Sequence, residues 1–284
     1  MKVLLTGHSG FIGQNLLKYL LKKKINLFVT KHNNIKVFGK KNISIIDLNN
    51  PLKQKNYLTN FDLVIHAAWS SLENYNSPNH IKKILPENIK FLKKLIFLGA
   101  KNLVILGTCF ELGDCYGEVK ESQIMKPNTQ YGKAKKKLYD KLISLQKKNG
   151  FNLTWIRIFY IYGFNQRNKS IFSQLKNFNA MQSGKVFELT EGKQLRDYMH
   201  VTTLAKKIID LSFLNKDFGI VNVCSGKPIS VKNLVLKWKN KFRWKIKLKF
   251  GSKSLKKYEP NSFWGSTLKL KTILKKKIYY KYTF

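Results

Sequence analysis

Tyr131 and Lys135 are the side chains whose types and spacing could do chemistry. They belong to the segment Tyr-Gly-Lys-Ala-Lys, and positions i and i+4 of a helix share one face. A phenol has a pKa of about 10, and a nearby ammonium lowers that pKa by stabilising the phenolate. The pair could therefore exchange a proton with a substrate oxygen at neutral pH. The alternative is a surface tyrosine beside a lysine, a common arrangement in so lysine-rich a chain.

Thr108 adds a hydroxyl to this pair. It follows the predicted fifth strand, residues 103–106, at the carboxyl edge where open α/β sheets bind their ligands. There its hydroxyl could hold a substrate oxygen beside Tyr131. The alternative is a threonine that satisfies local backbone groups. Glu111 is a further acid in the same loop, and it could touch substrate or face solvent.

The N-terminal stretch predicts a dinucleotide site. Gly7, Gly10 and Gly13 stand between an apolar strand and an amphipathic helix. Gly7 and Gly10 would let the backbone turn tightly and approach a pyrophosphate, and Gly13 would let the helix pack close to the strand. The helix N-terminus offers free N–H groups to the phosphates. The alternative is a glycine-rich turn that serves packing only.

The end of the second strand, residues 25–30, indicates which coenzyme binds. An acid at this point selects NAD, whereas a basic residue accepts the 2′-phosphate of NADP. The chain has Thr30, Lys31 and His32 there, with no acid. NADP(H) is therefore favoured over NAD(H), with Lys31 at the phosphate.

Strands and helices alternate along the first half of the chain. Further strands are predicted at 44–46, 61–66, 103–106 and 153–159, and helices at 81–98 and 128–148. This alternation predicts an α/β Rossmann fold, a doubly wound parallel sheet. We expect a coenzyme domain over residues 1–163, with returning segments near 196–226, and a smaller substrate lobe over most of 164–284.

The pattern is looser after Gly163. Helices are predicted at 170–183, 201–214 and 231–241, with a strand at 219–224. Residues 186–195 are interpreted as a hairpin that turns at Glu191-Gly192.

The amino-acid composition limits the kinds of partner that the chain can bind. The net charge is +39, but only four basic residues are arginine and the lysines are spread over every helix. This favours a base-composition bias over specific nucleic-acid binding, for which arginine is the better reader. A basic chain would still attract anionic substrates. No signal peptide or membrane span is predicted. Three cysteines without metal-ligand spacing indicate free thiols, no metal site and a cytoplasmic protein.

Seven motifs follow one another along the chain: Thr6–Gly13, Asp47-Leu48, His66-Ala67-Ala68, residues 107–113, Tyr131 with Lys135, residues 157–163 and residues 196–201. In these motifs and in their order the chain resembles, through about Gly226, the extended short-chain dehydrogenase/reductases that act on nucleotide sugars. The resemblance implies a Rossmann fold, a nicotinamide coenzyme and a Thr/Tyr/Lys catalytic set. Tyr131 would be the acid–base group at the sugar C4 oxygen, Thr108 would bond the same oxygen, and Lys135 would hold the nicotinamide ribose.

The resemblance also implies the binding residues. Those for the coenzyme are Gly7, Gly10, Phe11, Ile12, Gly13, Lys31, Asp47, Leu48, Ala67, Ala68 and Lys135, and those for the substrate are Thr108, Tyr160, Arg196 and Tyr198. Asp47 resembles the residue that bonds the adenine amine. Arg196 and Tyr198 resemble those that hold the nucleotide diphosphate, which a guanidinium suits.

Departures from the family pattern narrow the range of reactions that the chain could catalyse. Dehydratases carry an Asp-Glu pair where Cys109 and Phe110 stand, and epimerase-reductases of the GDP-fucose type carry a cysteine at the second position. C4 epimerases usually have asparagine in place of Tyr160. Reduction of a nucleotide-linked 4-keto-6-deoxyhexose is favoured, with C4 epimerisation as the alternative. A non-catalytic nucleic-acid-binding Rossmann protein is a third, less favoured reading. A homodimer through the helices after the fourth and fifth strands is compatible with the sequence.

Overall fold

The fold is described from a computed structural model, which covers residues 1–30, 43–46, 59–166, 169–181, 184–254 and 262–281. The strands are β1 Lys2–Thr6, β2 Asn26–Thr30, β3 Ile43–Ile46, β4 Leu63–His66, β5 Asn102–Thr108, β6 Gly117–Val119, β7 Asn152–Ile158, β8 Tyr160–Tyr162, β9 Val186–Glu188, β10 Leu195–His200, β11 Gly219–Val223, β12 Pro228–Ser230, β13 Lys247–Lys249 and β14 Phe263–Gly265. The helices are α1 Phe11–Leu20, α2 Leu85–Phe97, α3 Gln130–Asn149, α4 Ile171–Ala180, α5 Val201–Ser212, α6 Val231–Lys241 and α7 Leu268–Lys281. A π-helical turn, His80–Ile84, leads into α2, and a short 3₁₀ turn, Cys109–Glu111, follows β5.

A parallel sheet forms the centre of the described chain. Its seven strands have the order β11-β7-β5-β4-β1-β2-β3, and each neighbouring pair is parallel. After β3 the chain crosses to the other side of β1 and continues with β4. Ligands bind in the crevice at the carboxyl ends of strands where the order reverses in this way, here between β1 and β4. The predicted Rossmann fold is confirmed.

Helices cover both faces of the sheet, so its strands are apolar on both sides. Leu5, Val29 and Leu63 pack with α1, α5 and α7 on one face. Leu4 and Val64 pack with α2 and α3 on the other. The glycine at the end of α3, Gly150, adopts φ +66° and ends the helix where the sequence predicts it.

A separate apolar cluster lies among the later elements. Phe172 of α4 and Trp238 of α6 are almost fully buried in it, and Trp244 is buried beside them. β9 pairs in parallel with β13, while β10 pairs with β8 and β12. The predicted hairpin over 186–195 is therefore wrong, because each arm pairs with a strand distant in sequence. The predicted division after Gly163 stays a prediction.

No helix among the described residues is both long enough and apolar enough to cross a membrane.

Candidate active site

Tyr131 and Lys135 lie one turn apart on the buried face of α3. Thr129 caps the helix, because its Oγ1 accepts a hydrogen bond of 3.1 Å from the Gly132 N–H. Both side chains line one cavity of about 570 Å³. The Lys135 Nζ lies 6.0 Å from the centre of the Tyr131 ring. The structure thus brings the pair together on one helix face, as the spacing predicts.

Thr108 reaches this pair from the last position of β5. It caps the turn Cys109–Glu111 through a 3.3 Å bond from the Phe110 N–H to its Oγ1, and a side-chain hydrogen bond joins it to Tyr131. The turn lies directly against α3, since a Cβ on Gly132 would stand 2.2 Å from the Phe110 carbonyl oxygen. The absence of a side chain at Gly132 therefore allows Thr108 to reach Tyr131.

Burial dominates the electrostatics of both titrating groups. It raises the pKa of Tyr131 well above 10.0, against the opposing effect of the Thr108 hydrogen bond. It also lowers the pKa of Lys135 to about 7, although Glu111 acts in the opposite direction. The pKa of Tyr131 is therefore raised in the chain by itself, not lowered as expected beside Lys135, because desolvation disfavours the charged form of each group and outweighs the effect of the neighbouring charge. Tyr131 is held as a phenol, the form that donates a proton.

Trp69 and His80 fix the position of Lys135 from the other side. The Lys135 Nζ donates to the Leu106 carbonyl oxygen at 2.7 Å and lies 4.0 Å from the centre of a Trp69 ring, within cation–π range. The Trp69 indole N–H in turn donates to the His80 Nδ1 at 3.2 Å. His80 is fully buried and donates from Nε2 to the Asn74 carbonyl oxygen at 3.0 Å.

The loop over residues 69–80 encloses Tyr131 with aromatic rings. The Tyr75 ring stacks on Tyr131 at 5.4 Å between centres, and the Tyr131 N–H donates to the Tyr75 carbonyl oxygen at 2.8 Å. The rings of His80, Trp69 and Phe110 lie 5.3, 6.0 and 6.2 Å from it. The polar composition of residues 70–80 predicts a loop over the cleft, but it does not identify Trp69, Tyr75 and His80 as site residues. The feature of the sequence that could have identified them is the presence of three ring side chains in an otherwise polar loop.

The glycine turn fits a dinucleotide. A Cβ on Gly7, where φ is +69°, would stand 2.6 Å from the Ala67 carbonyl carbon, and one on Gly13 would stand 1.9 Å from the Gly7 carbonyl oxygen. Packing therefore requires both glycines. A Cβ on Gly10 would meet only the Gly7 oxygen, at 3.3 Å, so this side of the turn is open to a ligand. No side chain caps α1, which begins at Phe11 after Gly10; its first N–H groups are available to phosphate oxygens.

A hydrogen-bonded chain holds the neighbouring loop against this turn. The Ala68 N–H donates to Thr6 Oγ1 at 3.3 Å, and the Thr6 hydroxyl bonds the His66 Nδ1 at 2.9 Å. The His66 Nε2 lies 2.6 Å from the Asn88 Oδ1, which requires its proton on Nε2. Burial and the nearby Lys135 lower the pKa of His66 to about 3, so the imidazole is neutral. The loop is thereby fixed beside the predicted coenzyme site.

Two more of the predicted coenzyme residues, Ile12 and Ala67, line the same cavity as Thr108 and Tyr131. Phe11 opens α1 and does not line that cavity. Lys31, Asp47 and Leu48 lie outside the described residues.

The predicted substrate residues line the far part of the cavity. Tyr160 of β8 stands opposite Tyr198 of β10, with 5.3 Å between ring centres. The Arg196 guanidinium carbon lies 5.5 Å from the Tyr160 ring centre, and its Nη1 donates to the Leu195 carbonyl oxygen at 2.9 Å. All three line the cavity. Lys169, Lys253 and Glu188 also line it, so with Arg196 the cations outnumber the acid and this end is net cationic.

Glu111 faces neither substrate nor solvent, so both alternatives drawn from the sequence are wrong. Its side chain is fully buried and paired with Arg157, with 3.5 Å between the Arg157 Nε and the Glu111 Oε2. Arg157 lies on β7, which neighbours β5 in the sheet but is distant in sequence, so sequence spacing could not pair it with Glu111.

This fold and site define a class, the NAD(P)-dependent Rossmann enzymes. The sequence model of the NAD-dependent epimerase/dehydratase family matches residues 3–224. The chain belongs to that family, a branch of the extended short-chain dehydrogenase/reductases.

Individual relatives agree with this assignment. A dTDP-6-deoxy-L-talose 4-dehydrogenase (NAD(+)) from Aggregatibacter actinomycetemcomitans is 28% identical over 274 residues, covering 94% of this chain and 100% of its own. An uncharacterized UDP-glucose epimerase from Bacillus subtilis is 27% identical over 302 residues, covering 96% of this chain and 92% of its own. The structure of UDP-glucuronic acid 4-epimerase from Bacillus cereus, with UDP-glucuronic acid and NAD, superposes with a TM-score of 0.80 at 21% identity, covering 97% of this chain and 93% of that one.

Proposed function

We propose that the chain reduces the C4 carbonyl of a nucleotide-linked 4-keto-6-deoxyhexose with NAD(P)H. A reduced nicotinamide, when bound, would supply the hydride for C4. Tyr131 donates the proton that the C4 oxygen needs, and the Thr108 hydroxyl stabilises the negative charge that develops on that oxygen. Lys135 holds a positive charge beside Tyr131, which favours the phenolate that remains after proton transfer.

The turn after Thr108 is the observation that carries this proposal. Dehydration needs acid and base groups next to the catalytic hydroxyl, and the turn presents Cys109 and Phe110 there. Phe110 cannot transfer a proton, and burial raises the pKa of Cys109 far above neutrality. Glu111 is buried away from the cavity. A site with Tyr131 as its proton donor suits a reaction that moves one proton to one oxygen.

The surroundings of Tyr131 support a deoxy sugar. Phe110, Tyr75 and Leu72 line the cavity at its reacting end, and the Phe110 and Tyr75 ring centres are 4.5 Å apart. Apolar lining suits a methyl substituent better than a carboxylate, which would lose hydration against these side chains. The Aggregatibacter relative also acts, by its name, on a 6-deoxy sugar.

C4 epimerisation is the second candidate, supported by relatives named as epimerases. It would use the same Thr108, Tyr131 and Lys135, with rotation of a transient keto sugar. Stoichiometry separates the two reactions, because a reductase consumes one coenzyme per sugar whereas an epimerase regenerates it.

We propose NADP(H) as the preferred coenzyme, on the position of Lys31 after β2. The Aggregatibacter relative has NAD(+) in its name, so this preference needs its own test. A Lys31→Asp change should raise the KM for NADPH and lower that for NADH, since an acid bonds the ribose hydroxyls and repels the 2′-phosphate. A KM for NADPH that does not change would overturn the assignment of Lys31.

The reductase proposal is tested by coenzyme oxidation. Purified protein is incubated with a panel of nucleotide-linked 4-keto-6-deoxyhexoses and either NADPH or NADH, and absorbance of the reduced nicotinamide is followed. Stoichiometric oxidation with at least one sugar is expected. Interconversion of C4 epimers of an intact nucleotide sugar, without net oxidation, would establish the epimerase instead.

The partners follow from the same proposal. The substrate is a nucleotide-diphosphate sugar, held at the cationic end of the cavity by Arg196 and Tyr198. The three cysteines are free, which agrees with the cytoplasmic location proposed from the sequence. Homodimer formation stays a prediction.

A further inference from the structure

The Glu111 carboxylate lies directly beneath the catalytic turn. Its Oε1 accepts a hydrogen bond of 2.7 Å from the Thr108 backbone N–H. The Thr108 hydroxyl at the same time accepts from the backbone N–H groups of Phe110 and Glu111. The reciprocal bonds between Thr108 and Glu111 form a capping box. The box fixes the Thr108 backbone, and with it the direction of the hydroxyl that bonds Tyr131.

Residues of the central sheet pack closely around the Glu111 carboxylate. The Trp155 indole N–H lies 3.0 Å from each of its oxygens. A Cβ on Gly107 would stand 2.1 Å from the Trp155 Nε1 and 2.7 Å from the Glu111 Oε1. Gly107 adopts ordinary strand geometry, so packing against Glu111 and Trp155, and not backbone strain, requires glycine there.

Arg157 completes the surroundings of the carboxylate. Its Nε lies 3.5 Å from the Glu111 Oε2, and both side chains are fully buried. The Arg157 Nη1 reaches the Asn222 Oδ1 at 3.5 Å, and the Asn222 Nδ2 donates to the Val119 carbonyl oxygen at 2.9 Å. A buried carboxylate is stable only when it is paired and hydrogen-bonded in this way.

We propose that Glu111 is a positioning residue for the catalytic pair, holding the Thr108 backbone so that the Thr108 hydroxyl stays on Tyr131. The proposal rests on the proposed reductase function for its kinetic consequences. The carboxylate does not line the cavity, so it acts through Thr108 and does not touch the substrate.

The Glu111 carboxylate also affects the pKa of Lys135. Glu111 is the neighbour that raises the pKa of Lys135 against burial, whereas Lys135 itself lowers the pKa values of the buried His66 and His80. Tyr131 is the other titrating group beside it. Removal of the carboxylate therefore destabilises the ammonium and lowers the pKa of Lys135 below about 7.

The experiment compares Glu111→Gln and Glu111→Ala. Every polar group that faces the carboxylate is a donor, so glutamine can satisfy only part of the set and alanine none. We expect kcat to fall about tenfold for Gln and about a hundredfold for Ala, since small misplacements of catalytic groups cost this much. The KM for the sugar and the Kd for the coenzyme should change less than about twofold, because neither ligand meets Glu111. The alkaline limb of the kcat profile should move to lower pH in Glu111→Gln.

Two further measurements separate positioning from a general loss of structure. Glu118→Gln, which removes an exposed acid of the nearby β6, is the charge-matched control and should leave kcat and the pH profile unchanged. Trp155→Phe keeps the carboxylate but removes its indole partner, so it should lower kcat less than Glu111→Ala. Wild-type kcat in Glu111→Ala would overturn the proposal. A parallel loss of kcat, coenzyme binding and Tm would also overturn it, since the role would then be structural only.

An amide probe keeps this test independent of the reaction. In protein labelled with ¹⁵N-threonine, the Thr108 amide proton should resonate downfield and move upfield in Glu111→Ala. Absence of that shift overturns the positioning role even where the wild-type enzyme is active. A wild-type protein that oxidises neither coenzyme overturns the proposed function, while the amide shift still decides the role of Glu111.

Discussion

At the scale of single residues, the proposed reaction depends on the Tyr131 phenol. Tyr131→Phe keeps the ring stack with Tyr75 but removes the proton, so kcat should fall about 10²- to 10⁴-fold. Coenzyme binding should persist, because the hydroxyl lies at the substrate oxygen. Steady-state kinetics and coenzyme titration check the two parts. Tyr139→Phe, a half-buried tyrosine on the same helix that packs on Trp155, is the matched control and should retain activity.

His66 should make the protein sensitive to acid. Its pKa is about 3 in the folded chain, against 6.5 without burial. Between these values the unfolded chain binds the extra proton, so the free energy of unfolding must fall as pH falls from 6.5 toward 3. His66→Gln should flatten this slope, as measured by urea denaturation at a series of pH values.

His200 provides the comparison for that measurement. It is only partly buried and caps α5, and His200→Asn keeps a capping side chain. This variant should change the slope less than His66→Gln does. An equal change in both variants would mean that burial of His66 is not the cause.

The chemistry-bearing residues and their supports differ in how far sequence could identify them. The roles of Tyr131 and Lys135 can be predicted because helical spacing dictates a shared face, and that of Thr108 because strand ends meet at one sheet edge. The role of Glu111 cannot be predicted in this way, because its partner Arg157 comes from a strand distant in sequence. The same holds for His80, whose role depends on contact with Trp69. Spacing within one helix or strand is a local property of the sequence, whereas a contact between two elements depends on the tertiary structure.

At the scale of elements, Gly132 is where the turn Cys109–Glu111 meets α3. Alanine is the better helix former by about 1 kcal/mol, so Gly132→Ala would stabilise an isolated helix. Here the new Cβ would stand 2.2 Å from the Phe110 carbonyl oxygen, and the turn must move away. We expect a loss of about 1–3 kcal/mol in the free energy of unfolding, together with a lower kcat, measured by denaturation and steady-state kinetics.

A neighbouring position provides the control for that change. Lys133 is on the exposed face of α3, where Lys133→Ala meets no such contact. Its stability and kcat should stay close to the wild-type values. A Gly132→Ala enzyme that is as stable and as active as Lys133→Ala would show that the turn does not depend on close packing with α3.

The elements themselves were predictable where burial imposes a period. The seven sheet strands are short apolar runs, and the helix over Val231–Lys241 was predicted with its observed bounds. The segment 186–195 was interpreted wrongly because a glycine between two extended runs is typical of a hairpin. Its first arm pairs instead with β13 and its second with β8 and β12. Turn chemistry indicates where the chain bends, but pairing is decided by which strands lie alongside.

At the scale of the whole molecule, a net charge of +39 should affect the binding of an anionic substrate more than its turnover. The field of a basic protein raises the local concentration of a nucleotide sugar, and salt screens that field. The cationic end of the cavity adds a local contribution through Lys253, which is exposed at its rim. The KM for the sugar nucleotide should therefore rise with ionic strength while kcat stays constant.

The variants Lys253→Gln and Lys147→Gln separate the local contribution from the general field. Both lose one exposed positive charge, but Lys147 lies in the last turn of α3, outside the cavity. Lys253→Gln should raise KM by up to about fivefold at low salt, the value of an exposed charge pair of about 1 kcal/mol, and should reduce the dependence of KM on salt. Lys147→Gln should change neither quantity measurably. Equal effects of the two variants on KM would mean that the substrate responds to the total charge and does not meet Lys253.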